Sequence, residues 1–413
     1  MQSGFITTGA PNSTMNPDLD KLQPYPFEKL ASLKAGITPP AHLPHIALSI
    51  GEPRHPAPGF VADILSHAFE KLSNYPLTRG QPELRQAIAN WLQPRFQLRA
   101  NSLDPESQIL PVNGTREALF AFAQTVVDKS KANPLVLMPN PFYQIYEGAA
   151  LLAGAEPFFL ETSERHGFIP DYDAIDEDIW SRCQLLYLCS PGNPTGAVTD
   201  IPTLKKLIHL AEQHDFIIAA DECYSELYFD EQTPPPGLLQ AAQEAGNSAF
   251  KRCVVFHSLS KRSNLPGLRS GFVAGDAEVL AGFFKYRTYH GCAMPLTHQI
   301  ASTAVWADEN HVRENRRLYR EKFAAVLEIL RPVMELERPD ASFYLWAKTP
   351  NDDAEFARGL FAQQNVTVLP GSYLSRTTDN GNPGAGRIRM ALVAKNGECI
   401  EAAKRIRDYI ESL

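Results

Sequence analysis

The chain has 413 residues, 44% of them hydrophobic and 21% charged, enough for two or three globular domains with buried cores. Its 39 basic and 47 acidic residues leave a net charge of -8, which argues against a nucleic-acid or membrane surface as partner. No apolar run reaches the roughly 18 residues that span a bilayer, and the first basic residue, Lys21, comes too late for a secretory signal, so a cytoplasmic protein is expected.

Residues 1–14, MQSGFITTGAPNST, are polar and patternless and read as a flexible extension. Prolines cluster at joints such as ITPPAHLPH (37–45) and EQTPPPG (231–237). Between the joints, NGTREALFAFAQTVV (113–127) and IPTLKKLIHLAEQH (201–214) have helical patterns. PLVLMPNP (134–141), CQLLYLCSPGNP (183–194), FIIAADECY (216–224) and RCVVFHSLSK (252–261) each read as a buried strand running into a polar loop. That rhythm predicts an α/β fold with a mostly parallel sheet covered by helices on both faces. From about Pro295 the text changes to a charged helix (308–330), three short strand-like runs (ASFYLWAKT, NVTVLPGSY, GRIRMALVA) and a last helix (397–413). This predicts a smaller α+β domain of 15–49 plus 296–413 beside a large one of 50–295. The six cysteines form no C-x-x-C pair and several lie in apolar runs, as expected of buried thiols and not of a disulfide framework or a zinc site.

Nucleotide-phosphate loops, zinc-protease helices and the hydrolase elbow have no matching motif here. The chemistry is therefore sought at the carboxyl ends of the strands, where open parallel sheets bind ligands. Asn193 follows one strand, Asp221 and Tyr224 the next, and Ser258, Ser260 and Lys261 a third. Pyridoxal phosphate wants that set together. Its aldehyde takes a lysine amine, its ring nitrogen a carboxylate, and its ring oxygen a phenol and an amide. Its phosphate suits hydroxyls, an arginine and a helix start such as NGTREAL, with Gly114 allowing close approach. Taken singly, Lys261 would be a surface charge, Asp221 a helix cap and Tyr224 a core aromatic. Their company reverses those odds.

SPGNPTG, DECYSEL and SLSKRSNLPGLRSGF, in this order, resemble the fold-type I pyridoxal-phosphate aminotransferases of classes I and II, over nearly all of the chain after Met15. The resemblance implies Lys261 as the cofactor lysine and proton carrier, Asp221 as partner of the ring nitrogen, and Asn193 and Tyr224 as holders of the ring oxygen. It implies Ser258, Arg269, Thr115 and the backbone of Gly114 and Arg116 for the phosphate, and Tyr143 as the aromatic stacked on the ring, with Phe142 and Tyr146 as rivals. Arg389 would clamp the substrate α-carboxylate near the backbone of Gly51, and an inward arginine in RIRMALV is costly without an anion. Tyr75 would reach the phosphate of a neighbouring subunit, in a homodimer with shared sites. Glutamate is the implied amino donor. KLQPYPFEKLASLKAG, YRTYHGCAMP and VLPGSYLSR with NPGAGRIRMALV further resemble the N-succinyldiaminopimelate aminotransferases of lysine synthesis, which makes Arg287, Arg376 and Ser372 candidates for the distal end of a long substrate. The same residues also suit an aspartate- or aromatic-type aminotransferase or a β-lyase. The sensor half of a transcription regulator is a more distant alternative, since only about 50 residues precede the first family motif.

Overall fold

The structure, a computed structural model, describes residues 15–413; the extension expected over 1–14 lies outside them. Along the described chain run β1 (Ile46–Ala47), β2 (Ile109–Val112), β3 (Leu135–Asn140), β4 (Glu156–Glu161), β5 (Cys183–Cys189) and β6 (Ile217–Asp221). There follow β7 (Cys253–Ser258), β8 (Gly271–Gly275), β9 (Tyr344–Lys348), β10 (Val366–Thr367), β11 (Leu369–Pro370) and β12 (Arg387–Ala391). Seven of them make one sheet in the order β2-β8-β7-β6-β5-β3-β4. Only β8 runs against its neighbours. Strands β6, β7 and β5 are buried almost throughout, as strands covered on both faces must be.

Alternate residues of those strands feed two separate cores. Leu186, Ile218, Ala220 and Val255 face one side, where they meet the helices Pro82–Arg95 and Ile201–His214. Leu185, Ala219, Val254 and Phe256 face the other, against the helices Thr115–Val126 and Ile145–Ala153. The helix Ile201–His214 shows why the local sequence folds so. Asp200 caps it by accepting from the Thr203 amide, proline sits in its first turn, and Asp215 ends it at a φ of 59°. Its buried stripe is Leu204, Leu207, Ile208 and Ala211, and each large apolar side chain so buried contributes about 1.5–3 kcal/mol.

A second body of structure is built on the antiparallel sheet β11-β12-β9. Leu345, Ile388 and Met390 pack there on Phe323, Val326 and Leu330 of the helix Asn310–Leu330 and on Ala402 and Ile406 of the helix Asn396–Glu411. The early segment joins it, since β1 pairs parallel with β10 at Ile46–Val366 and Ala47–Thr367. The expected joint at 295 falls ahead of the helix Leu296–Ala307, whose Ala301, Val305 and Trp306 pack in the large-sheet core. Among the described residues no helix is long and apolar enough to cross a membrane.

Candidate active site

The turn from β7 into β8 builds the centre of the site. Antiparallel neighbours can be joined by a short return, whereas parallel ones need a long crossover. The return of residues 259–270 carries Lys261 and Arg269 back past the carboxyl ends of β5 and β6. There, between the two sheets, lies a cavity of about 650 Å³. Its lining includes Gly51, Thr115, Arg116, Tyr143, Asn193, Asp221, Tyr224, Ser258, Lys261, Arg269 and Arg389. Eleven residues named from the sequence thus meet in one place.

Lys261 is held in a largely dehydrated position, and burial pulls its ammonium down to about 8. Its Nζ donates to the backbone carbonyl of Gly51, which enters from the segment after β1. Asp221, the last residue of β6, is 5% exposed. Burial raises its carboxyl, while the Cys223 and Tyr146 groups beside it act in the opposite sense. Tyr146 Oη donates to its Oδ2 at 2.7 Å, and the Cys223 amide to its Oδ1 at 3.3 Å. Tyr224 Oη lies 3.0 Å from Tyr344 Oη, and burial lifts its phenol far above the ordinary range.

Arg389 on β12 donates from Nη1 to Asn193 Oδ1 at 2.9 Å and from Nη2 to the Ser49 carbonyl at 2.8 Å. Its guanidinium carbon sits 4.3 Å from the centre of the Tyr344 ring, and its buried Nε has no partner among the described residues. A buried guanidinium left with a free donor is the setting that an anion completes.

An anion cradle lies at the opposite end. The helix Thr115–Val126 starts at Gly114 with no side-chain cap, so its first amides are open to the cavity. Gly114 has a φ of 81°, and a Cβ there would fall 2.2 Å from Arg269 Nη2. Only glycine fits this approach. Thr115, Ser258 and Ser260 bring hydroxyls to the same wall, with Ser258 Oγ 2.9 Å from Ser260 Oγ. An amine, a buried carboxylate, a phenol, an amide and an uncapped helix start beside an arginine are the donor set that suits pyridoxal phosphate.

Three expectations on the substrate side are corrected. Arg287 is wholly buried and gives both donors of Nη1 to the carboxylate of Glu117, at 2.8 and 2.9 Å. Arg376 forms a fork with Glu147, its Nε 2.7 Å from Oε1. Neither they nor Ser372 line the cavity. Both arginine charges are already neutralised by scaffold carboxylates. Of the rivals to Tyr143, Phe142 is buried in the core and Tyr146 is bonded to Asp221. Tyr143 itself lines the cavity and accepts from Arg116 Nε at 2.6 Å. Tyr75 is 98% exposed and away from the cavity of its own chain.

The cavity also holds residues the sequence did not single out. Tyr25 stands before the helix Pro26–Lys34 and accepts from Arg116 Nη2 at 3.0 Å. Tyr344 comes from β9, and Cys223 touches Thr115, Sγ to Oγ1 at 3.1 Å. The one sequence signal for them was position: Cys223 inside DECY, and Tyr25 ahead of a proline that opens a helix.

A family model for aminotransferase class I and II matches residues 44–406. The LL-diaminopimelate aminotransferase of Nitratidesulfovibrio vulgaris is 32% identical over 394 residues, covering 94% of this chain and 97% of the relative. Among solved structures, an aminotransferase from Neisseria meningitidis is 50% identical with a TM-score of 0.91, covering 95% of this chain and 99% of its own. A probable N-succinyldiaminopimelate aminotransferase from Thermus thermophilus is 28% identical with a TM-score of 0.81, over 93% and 100%.

Proposed function

Because the chain belongs to the class I and II aminotransferases, whose members use pyridoxal phosphate, we propose that it moves an amino group between glutamate and N-succinyl-2-amino-6-oxopimelate, giving N-succinyldiaminopimelate for lysine synthesis. The observation that carries the reading is the meeting of Lys261, Asp221 and Arg389 in one cavity whose cations outnumber its acids. When bound, pyridoxal phosphate supplies an aldehyde for condensation with amines and a ring that accepts electrons from the substrate carbon.

The chain's own residues then divide the work. Lys261 Nζ, lowered to about 8, is basic enough at neutral pH to take the proton from the substrate Cα and acidic enough to return it. Asp221 would hold a proton on the ring nitrogen, and Tyr146 and the Cys223 amide keep its carboxylate aimed. Tyr224 and the Asn193 amide would donate to the ring oxygen; Asn193 Oδ1 is occupied by Arg389, which leaves its amide nitrogen to donate. Tyr143, which lines the cavity, would pack on the ring. Gly114, Thr115, Arg116 backbone, Ser258 and Arg269 would hold the phosphate, and Arg389 with the Gly51 backbone would take the α-carboxylate.

Substrate choice rests on the remaining cation. Among the described residues Arg116 bonds only to the phenols Tyr143 and Tyr25, with no carboxylate paired to it. The lining carries Arg116, Lys261, Arg269 and Arg389 against Glu52 and Asp221. A succinylated substrate brings carboxylates and an amide to that end, which Arg116 and Tyr25 can meet. Unsubstituted diaminopimelate, on which the curated relatives are named to act, brings an ammonium that would want an acid there. Comparing specificity constants for the succinylated substrate, LL-diaminopimelate, aspartate and phenylalanine tests this. The succinylated compound is expected to lead by more than tenfold, about 1.4 kcal/mol in transition-state binding. A tenfold lead for any other overturns the substrate and leaves the aminotransferase.

A homodimer completes the proposal. Tyr75, Phe69, Leu72, Leu77 and Tyr289 are large apolar side chains more than half exposed, a surface that supports burial against a second copy. The free thiols of the described cysteines are in keeping with a reducing cytoplasm.

A further inference from the structure

Tyr344 touches both Tyr224 and Arg389. It stands on β9, is 3% exposed, and lines the cavity. Its hydroxyl lies 3.0 Å from that of Tyr224, and its ring lies under the Arg389 guanidinium at 4.3 Å. Space for it is made by Gly51, where a Cβ would fall 2.0 Å from Tyr344 Oη. The same glycine offers its carbonyl to Lys261.

We propose that Tyr344 is a positioning residue that couples the donor to the cofactor's ring oxygen, Tyr224, to the carboxylate clamp, Arg389. The inference rests on the aminotransferase reading above. Two hydroxyls sharing one hydrogen bond have one proton to spare. Among the described residues neither oxygen has another hydrogen-bond partner. When Tyr224 turns its proton toward the ring oxygen, it can accept only from Tyr344, and accepting strengthens its own donation. The Tyr344 hydroxyl therefore selects the orientation in which Tyr224 serves the cofactor. The ring has a separate task. A guanidinium stacked on an aromatic face is attracted to it and held in plane, which fixes Arg389 for a bidentate carboxylate.

The two tasks are separable by substitution in the holoenzyme. Tyr344→Phe keeps the ring and removes the hydroxyl. The pH midpoint of the bound cofactor's visible absorbance is then expected to rise by about half a unit to one unit, because weaker donation leaves the ring oxygen more basic. Tyr224→Phe should raise it further. KM for donor and acceptor should stay within about twofold in Tyr344→Phe, whereas Tyr344→Leu should raise both by roughly two- to thirtyfold. A midpoint unmoved in Tyr344→Phe overturns the inference, and so does an unchanged pair of KM values in a folded Tyr344→Leu protein. If Tyr344→Leu does not fold, the Tyr344→Phe midpoint alone decides. Wild-type protein with no cofactor absorbance would instead bring down the aminotransferase reading, and the inference with it.

Discussion

Lys261 and Lys322 are both lysines in dehydrated positions, yet only one faces the cavity. Lys261→Ala is expected to lower turnover by about 10²–10⁴-fold, the usual loss for a positioned acid–base group. Borohydride should fix the cofactor to the peptide that contains Lys261, and near-native turnover in the variant would remove the assignment. Lys322 is 2% exposed and donates to the carbonyls of Leu392 and Val393, with burial pulling it down to about 8. Between that value and the ordinary 10.5 the unfolded chain binds more protons than the folded one. Stability contributed at this site therefore rises with pH across that window. Holoenzyme carrying Lys322→Met should show a slope of unfolding free energy against pH from about 8 to 10.5 that is less positive than that of wild type. Arg389→Lys, which loses the planar fork, should cost at least about tenfold in catalytic efficiency in both half-reactions alike. Loss in only one half-reaction would move the clamp elsewhere. At this scale the sequence was legible where a polar side chain closes an apolar run, as Asp221 and Asn193 do. It was silent on charge partners far along the chain: Arg376 finds Glu147 across 229 positions, and Arg287 finds Glu117 across 170. An arginine with a hidden carboxylate looks the same in sequence as one waiting for a substrate.

Elements carried their own signals unevenly. The helix Ile201–His214 was readable to the residue, because cap, first-turn proline and apolar stripe agree. Strands β5, β6 and β7 were readable as apolar runs ending in polar loops. The reversal of β8 was not, since periodicity reports which face a residue takes and says nothing of strand direction. The NVTVLPGSY run, expected as one strand, is two: β10 pairs with β1 and β11 with β12. The turn into the helix Thr115–Val126 gives a direct test of the anion cradle. At Gly114 the backbone occupies a region that side chains avoid at a cost of about 1–3 kcal/mol, and the approach of Arg269 leaves no room for a methyl group. Gly114→Ala is accordingly expected to weaken retention of pyridoxal phosphate by about tenfold or more, measured by cofactor release from the holoenzyme. Retention equal to wild type would place the phosphate away from this helix.

For the whole molecule, the proposed shared sites make a prediction that no single chain can satisfy. Lys261→Ala and Tyr75→Ala proteins, each inactive alone, should regain partial activity when mixed, because one of the two sites in a hybrid then has a full set. Lys261→Ala mixed with Arg389→Ala should regain none, as both residues line the cavity of one chain. Rescue in the second mixture, or sedimentation as an active monomer, would end the proposal.

The pairing of β1 with β10 has a consequence for how the protein comes into being during translation. His45 bonds Thr367 across 322 positions, and Arg389 holds the Ser49 carbonyl across 340. While the ribosome is still adding residues 276–365, the seven strands of the large sheet are complete, but the lip bearing Ser49 and Gly51 has no strand to join. The wall that carries Arg389 is made later still. A nascent chain can thus assemble the lysine, the aspartate and the anion cradle well before it can grip a substrate, and the last stretch synthesised confers competence.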